Sequence, residues 1–137
     1  PGAGNIISGG YIGIHIHGHE GPNTSADRNI IQGNIIGANK DGVAPLGNQD
    51  SGINLFNSPT NILVGGTENG AGNIISGNNW HGIYLFEISN VTIHGNYIGT
   101  NPLFGAVGNL KAGIYVDMNS DSAIIGRQTK PSTKGTT

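Results

Sequence analysis

The tetrapeptide Gly-Asn-[Ile or Tyr]-Ile stands at four places in the chain, Gly4 to Ile7, Gly33 to Ile36, Gly72 to Ile75 and Gly95 to Ile98. A second pattern, Gly-Ile-x-[Ile, Leu or Val], alternates with it at Gly13 to Ile16, Gly52 to Leu55, Gly82 to Leu85 and Gly113 to Val116, in steps of 39, 30 and 31 residues. A period of about 20 to 50 residues, built from short apolar strands and Gly/Asn turns, requires a solenoid. No single unit has an apolar face large enough to bury alone, so each must stack on its neighbours.

Each period divides into three short β segments. In the third full coil they are Gly82 to Phe86, Val91 to Ile93 and Asn96 to Ile98. The middle set reads Ile30-Ile31, Ile62 to Val64, Val91 to Ile93 and Ala123 to Ile125. β-Branched residues suit these places because each side chain stacks on its equivalent about 4.8 Å away in the next coil, where stiff branched shapes pack well. Two inward columns are expected, Ile14, Ile53, Ile83 and Ile114, and Ile16, Leu55, Leu85 and Val116.

Asn5, Asn34, Asn73 and Asn96 hold one position of the repeat, after a Gly at the corner between the second and third strands. They are expected to form an internal asparagine ladder, because an amide carries both donors and acceptors and stacked copies satisfy one another. The preceding Gly supplies either a positive φ or a close backbone approach.

With these corners and strands, the runs Asn73 to Asn78 and Gly95 to Asn101 resemble the right-handed parallel β-helix repeats of large secreted bacterial proteins, in the pectate-lyase-like superfamily. The resemblance spans nearly the whole chain up to Gly126. It implies an all-β, right-handed parallel β-helix with three strands per coil and about four coils. The expected boundaries are a partial coil over 1–12, coils over 13–51, 52–81 and 82–112, a partial coil over 113–126, and a polar joint or tail over 127–137. The fold hosts polysaccharide lyases, hydrolases and epimerases as well as adhesins and phage spikes, so it does not fix a function.

Charge narrows the choice. Charged residues make up 10% of the chain, the net charge is −2 and the six Lys and Arg are scattered, which leaves no electrostatic footprint for nucleic acid. No apolar run approaches the roughly 20 residues of a membrane span. The chain has no Cys, which fits a bacterial surface or extracellular protein.

On the Gly-Ile-x-Leu strands the outward positions form two columns, His15, Asn54, Tyr84 and Tyr115, and His17, Phe56, Phe86 and Asp117. Long loops lead into this face from Ala38 to Ser51 and from Thr100 to Ala112, while Ser76 to His81 is short. A notch holding Trp80 and His81 is expected between them. Flat aromatic faces beside Asn, His and acids suit a sugar, and in the carbohydrate-active relatives that the chain resembles the glycan lies along this face. The other reading, favoured from sequence, has Val43, Leu46, Leu103, Phe104 and Val107 of the loops covering Phe56 and Phe86 as a secondary core.

Catalysis finds little support. Glycoside hydrolysis uses two carboxylates about 5 to 9.5 Å apart. The columns place Phe86, not Glu87, beside Asp117. The chain also lacks the carboxylate cluster with a nearby Arg of calcium-dependent pectate lyases and the Tyr-Gly-Phe-Asp-Pro-His signature of alginate epimerases. No catalytic residue and no cofactor is assigned. His15, His17 and His19 could gather a Zn or Ni ion, against the reading of His15 and His17 as surface residues stacked on Asn54 and Phe56. Asp41, Asn48 and Asp50 share a loop without the nonapeptide pattern of calcium-binding β-rolls.

The expected function is therefore a structural or adhesive β-helix unit, extracellular or on a cell surface. It stacks end to end with copies of itself into a fibre, or is a segment of a longer surface protein. The stacking expectation rests on Gly135-Thr136-Thr137 followed by Pro1 to Asn5 of another copy, which matches the register of Gly66 to Asn73. The alternative is a carbohydrate-binding or polysaccharide-degrading β-helix using the aromatic face. A phage-spike or adhesin shaft is the third.

Overall fold

The computed structural model describes residues 4–18, 27–57 and 59–126. Within them the chain forms twelve strands: β1 (Ile6–Ile7), β2 (Ile14–His17), β3 (Ile30–Ile31), β4 (Ile35–Ile36), β5 (Ile53–Phe56), β6 (Thr60–Gly65), β7 (Ile74–Ile75), β8 (Ile83–Phe86), β9 (Ser89–His94), β10 (Tyr97–Ile98), β11 (Ile114–Val116) and β12 (Ile124–Ile125). They pair in parallel into three four-stranded sheets, ordered β2-β5-β8-β11, β3-β6-β9-β12 and β1-β4-β7-β10. Every third strand therefore returns to the same sheet one coil further on. This is a parallel β-helix of three strands per coil and about four coils, as the sequence pattern requires.

Register follows the repeat. Ile14, Ile53, Ile83 and Ile114 pair in one line, and Ile16, Leu55, Leu85 and Val116 in the other. Ile53, Leu55, Ile83 and Leu85 are fully buried and join Ile36, Ile75, Val64 and Ile93 from the other two sheets in a single core. Burial of each such side chain contributes about 1.5–3 kcal/mol. The outermost coils have a neighbour on one side only, so Ile14 and Ile114 are half-buried.

The corner asparagines form the expected ladder. Asn5 donates from its backbone N and Nδ2 to Asn34 Oδ1, Asn34 in the same way to Asn73 Oδ1, and Asn73 to Asn96 Oδ1, at 2.9–3.2 Å throughout. Both mechanisms for the preceding Gly occur. Gly33 and Gly95 have φ of 69° and 70°, whereas a Cβ on Gly72 would lie 2.1 Å from Gly95 O.

A second ladder, absent from the sequence reading, lines the corner between the third strand and the next first strand. Asn48 Nδ2 donates to Asn78 Oδ1 and Asn78 Nδ2 to Asn109 Oδ1, both at 2.9 Å. Their amides also reach the carbonyls of Ile7, Ile36 and Ile75. Among the described residues the remaining corner, between first and second strands, shows no ladder. Instead Arg28, Asn61, Asn90 and Ser122 share one register position with φ of 55–60°, a left-handed conformation that Asn tolerates better than most side chains.

Candidate functional site

The β2-β5-β8-β11 sheet carries the aromatic face. Strand alternation turns His15, Asn54, Tyr84 and Tyr115 outward in register, with His17, Phe56 and Phe86 two residues on. The rings then pack along the coil axis. Phe56 stacks on Phe86 with centroids 5.4 Å apart, meets Tyr84 edge-on at 5.0 Å and lies 5.6 Å from His15. Further toward the third corner, His81 lies parallel on Tyr115 at 4.7 Å and touches Tyr84 and Trp80. The two groups meet at Tyr84, so the rings form one continuous stripe across the four strands of the sheet.

The loops do not close over it. Leu103 and Phe104 are 82% and 87% exposed, and Val43 and Leu46 are exposed too. Of the five loop residues expected to cover Phe56 and Phe86, only Val107 is buried. The physical reason is local. Antiparallel bridges Ala38–Pro45 and Thr100–Ala106 turn each loop into a short hairpin, and Gly42 of the first tip sits against Ile74 of the β1-β4-β7-β10 sheet rather than over the aromatic one. The intervening coil has only the short turn Ser76 to His81, which presents Trp80 beside the stripe. Trp80 and Tyr115 are each 43% exposed.

Polar groups are fixed around the rings. Tyr84 donates to Asp117 Oδ2 at 2.7 Å. That bond, with burial and the Asp117 charge, pushes the phenol up to about 12. Asp117 is held below the usual carboxylate range by the same bond and by the Met118 N–H. The Ala112 N–H donates to His81 Nδ1 at 3.2 Å, which leaves the ring proton on Nε2. Burial lowers the His81 pKa, with Asp50 acting in the opposite direction and Lys111 adding to the lowering. Lys111 Nζ lies 5.0 Å from the centre of the Trp80 ring, at cation–π distance. Asp50 accepts from the Ser51 N–H and hydroxyl.

Asn54 keeps its register in the column but is buried. It is 4% exposed, and its Oδ1 is buried without a hydrogen-bond partner among the described residues.

His15 and His17 lie side by side with ring centroids 5.8 Å apart, and His17 Nε2 is 2.9 Å from Asn57 Nδ2. His19 lies outside the described residues. Among those residues no group of three or more His, Cys, Asp or Glu is placed to hold a metal ion. Asn48 is committed to its ladder and Asp41 to Lys40 at 2.8 Å. No helix among the described residues is long and apolar enough to cross a membrane.

Comparison with protein-family models, with curated proteins and with solved structures finds no match. The functional reading therefore rests on the geometry of the face itself.

Proposed function

We propose that this β-helix is a rigid, non-catalytic adhesive segment that holds a polysaccharide along its aromatic sheet, on the outside of a cell. The observation that carries the reading is the stripe from Phe56 through Tyr84 to His81, Tyr115 and Trp80, one ring next to another on stacked strands, which the described apolar loop residues Val43, Leu46, Leu103 and Phe104 leave uncovered. Aromatic faces accept the apolar side of a sugar ring, while fixed polar groups at the edge orient its hydroxyls. Asp117, Asp50 and Lys111 are the groups so placed. Binding is preferred to hydrolysis because hydrolysis uses a pair of carboxylates, and the strand register sets Phe86 rather than a second acid beside Asp117.

Isothermal titration against a panel of neutral and acidic polysaccharides tests this. Saturable binding to at least one, weakened about tenfold by Tyr115→Ala or Trp80→Ala as loss of one stacking contact implies, is the expected result. Absence of binding to every member would overturn it.

End-to-end assembly is the second reading. It is favoured by Val116 and Ile125, which are exposed on the outermost strands although their counterparts Leu85 and Ile93 are buried. Such an edge pairs with a further coil, whether from the same polypeptide or from a second copy. Filaments in negative-stain electron microscopy would support it, and particles of single-chain size at every concentration would sink it.

A further inference from the structure

A cavity of about 550 Å³, lined by none of the residues of the aromatic stripe, lies on the outer surface of the β1-β4-β7-β10 sheet. An insertion creates it. Ile31, Val64 and Ile93 share one register position and Ile35, Ile74 and Tyr97 another. Three residues join these positions in the neighbouring coils, but nine do so between Val64 and Ile74.

The added loop is anchored and shaped. Gly66 N donates to His94 O at 3.0 Å, Ala71 O accepts from Gly33 N at 3.1 Å, and a turn closes from Glu68 O to the Ala71 N–H at 3.0 Å. Gly70 sits at φ 81° within that turn, a conformation open to glycine at little cost. The loop therefore overhangs the next coil as one wall of a cleft, with Pro102 on the other side.

The floor is apolar, made by Ile74 and Tyr97 side by side in the outward column. The rim is polar, made by Thr67, Glu68, Asn69 and His94. Among the described residues none of these four side chains has a hydrogen-bond or ion-pair partner. The asparagines at the corner beneath are by contrast fully engaged in the ladder. Polar groups without partners beside an apolar floor, in a space within the usual ligand range of about 300–1,000 Å³, are the features a ligand pocket needs.

We propose that this cleft is a second carbohydrate site, taking one neutral pyranose residue with its apolar face on Tyr97 and Ile74 and its hydroxyls on Glu68 and Asn69. Glu68 is the one acid of the rim and repels a uronate carboxylate, which gives the preference for neutral sugars its sign. That the ligand is a sugar rests on the function proposed above, while the existence of the cleft and its unused polar groups does not. A glycan engaged at both faces would gain avidity without new contacts at either.

The test is a ¹⁵N NMR titration of the full chain with methyl glucoside, N-acetylglucosamine and glucuronate. Amides from Gly66 to Gly72 and at Gly95 are expected to shift saturably with a neutral sugar. The affinity should fall about tenfold in Tyr97→Ala and in Glu68→Ala, the cost of one lost contact, and stay unchanged in Tyr115→Ala. Glu68→Ala alters an exposed turn residue, so it remains informative if Tyr97→Ala fails to fold. No shift in this loop with any of the three sugars overturns the second site, as do shifts that survive both substitutions. Equal response to glucuronate overturns the neutral preference. If amides of β8 and β11 respond in the same titration while the loop does not, the aromatic-face reading stands and this one falls.

Discussion

Asn73 shows how much one side chain does in this fold. Its Nδ2 donates to Asn96 Oδ1 and to Ile31 O, and its Oδ1 accepts from the Asn34 backbone N and side chain. Truncation leaves a buried carbonyl and a buried amide unpaired, and each orphaned group costs about 1–3 kcal/mol. Asn73→Ala is therefore expected to lose about 3 kcal/mol in urea unfolding, where Asn5→Ala at the exposed end of the ladder loses under about 1 kcal/mol. His81 sets a pH dependence. Burial lowers its pKa below the ordinary 6.5, so the unfolded chain binds that proton more readily than the folded one. This contribution to stability is complete above the unfolded pKa and is lost as the pH falls through the folded value. The Tm should drop as the pH falls below about 6.5, and drop less in His81→Asn, which keeps an acceptor for the Ala112 N–H but does not titrate. Equal pH profiles for the two proteins would show that His81 does not carry the effect. The ladder position of Asn73 was legible in the sequence because four copies share it. The environment of His81 was not, since it arises from a ring of the following coil, Tyr115, lying flat against it.

At the level of strands and corners, spacing between coils decides which glycines are replaceable. A Cβ on Gly82 would lie 2.5 Å from Gly113 O and 2.8 Å from Asn109 Nδ2, whereas one on Gly108 would meet nothing within 4 Å. Gly82→Ala must push a strand or a ladder amide aside and is expected to cost more than about 2 kcal/mol, while Gly108→Ala stays within about 0.5 kcal/mol. Thermal unfolding of the two variants checks the contrast. The same corner explains what the sequence reading missed. Gly47-Asn48, Gly77-Asn78 and Gly108-Asn109 each place an Asn four residues before the Gly of the next Gly-Ile-x-Leu strand, and that fixed offset was the available signal. It was masked by the hairpins at Ala38–Pro45 and Thr100–Ala106, which make the segments look like unrelated loops, and by Gly10, whose N–H meets Asn48 Oδ1 where a fourth Asn would stand. Strand identity was easier to read, because β-branched residues at matching positions encode both the pairing and the inward column. The path of the hairpin tips was not encoded in that pattern, and so the apolar residues Leu103 and Phe104 were assigned to a cover that they do not form.

Stability along a solenoid is a sum of coil terms and interfaces between neighbours, so the molecule as a whole should be strongest where each coil has two neighbours. Leu55 and Leu85 are fully buried at such places, while Ile125 on the outermost β12 is 50% exposed. Leu55→Ala is expected to cost about 3–4 kcal/mol and Ile125→Ala under about 1 kcal/mol. Hydrogen exchange read by mass spectrometry should show the same gradient, with β5, β6, β8 and β9 slowest and β12 fastest. The exchange experiment also separates the two assembly readings when repeated over a range of protein concentrations. Pairing of open coil ends between copies would slow exchange in β3 and β12 as concentration rises and leave the central strands unchanged, because only the ends gain hydrogen bonds. Protection that is flat with concentration at both ends would sink end-to-end assembly of this chain. It would leave the aromatic stripe as the surface through which the shaft meets its partner.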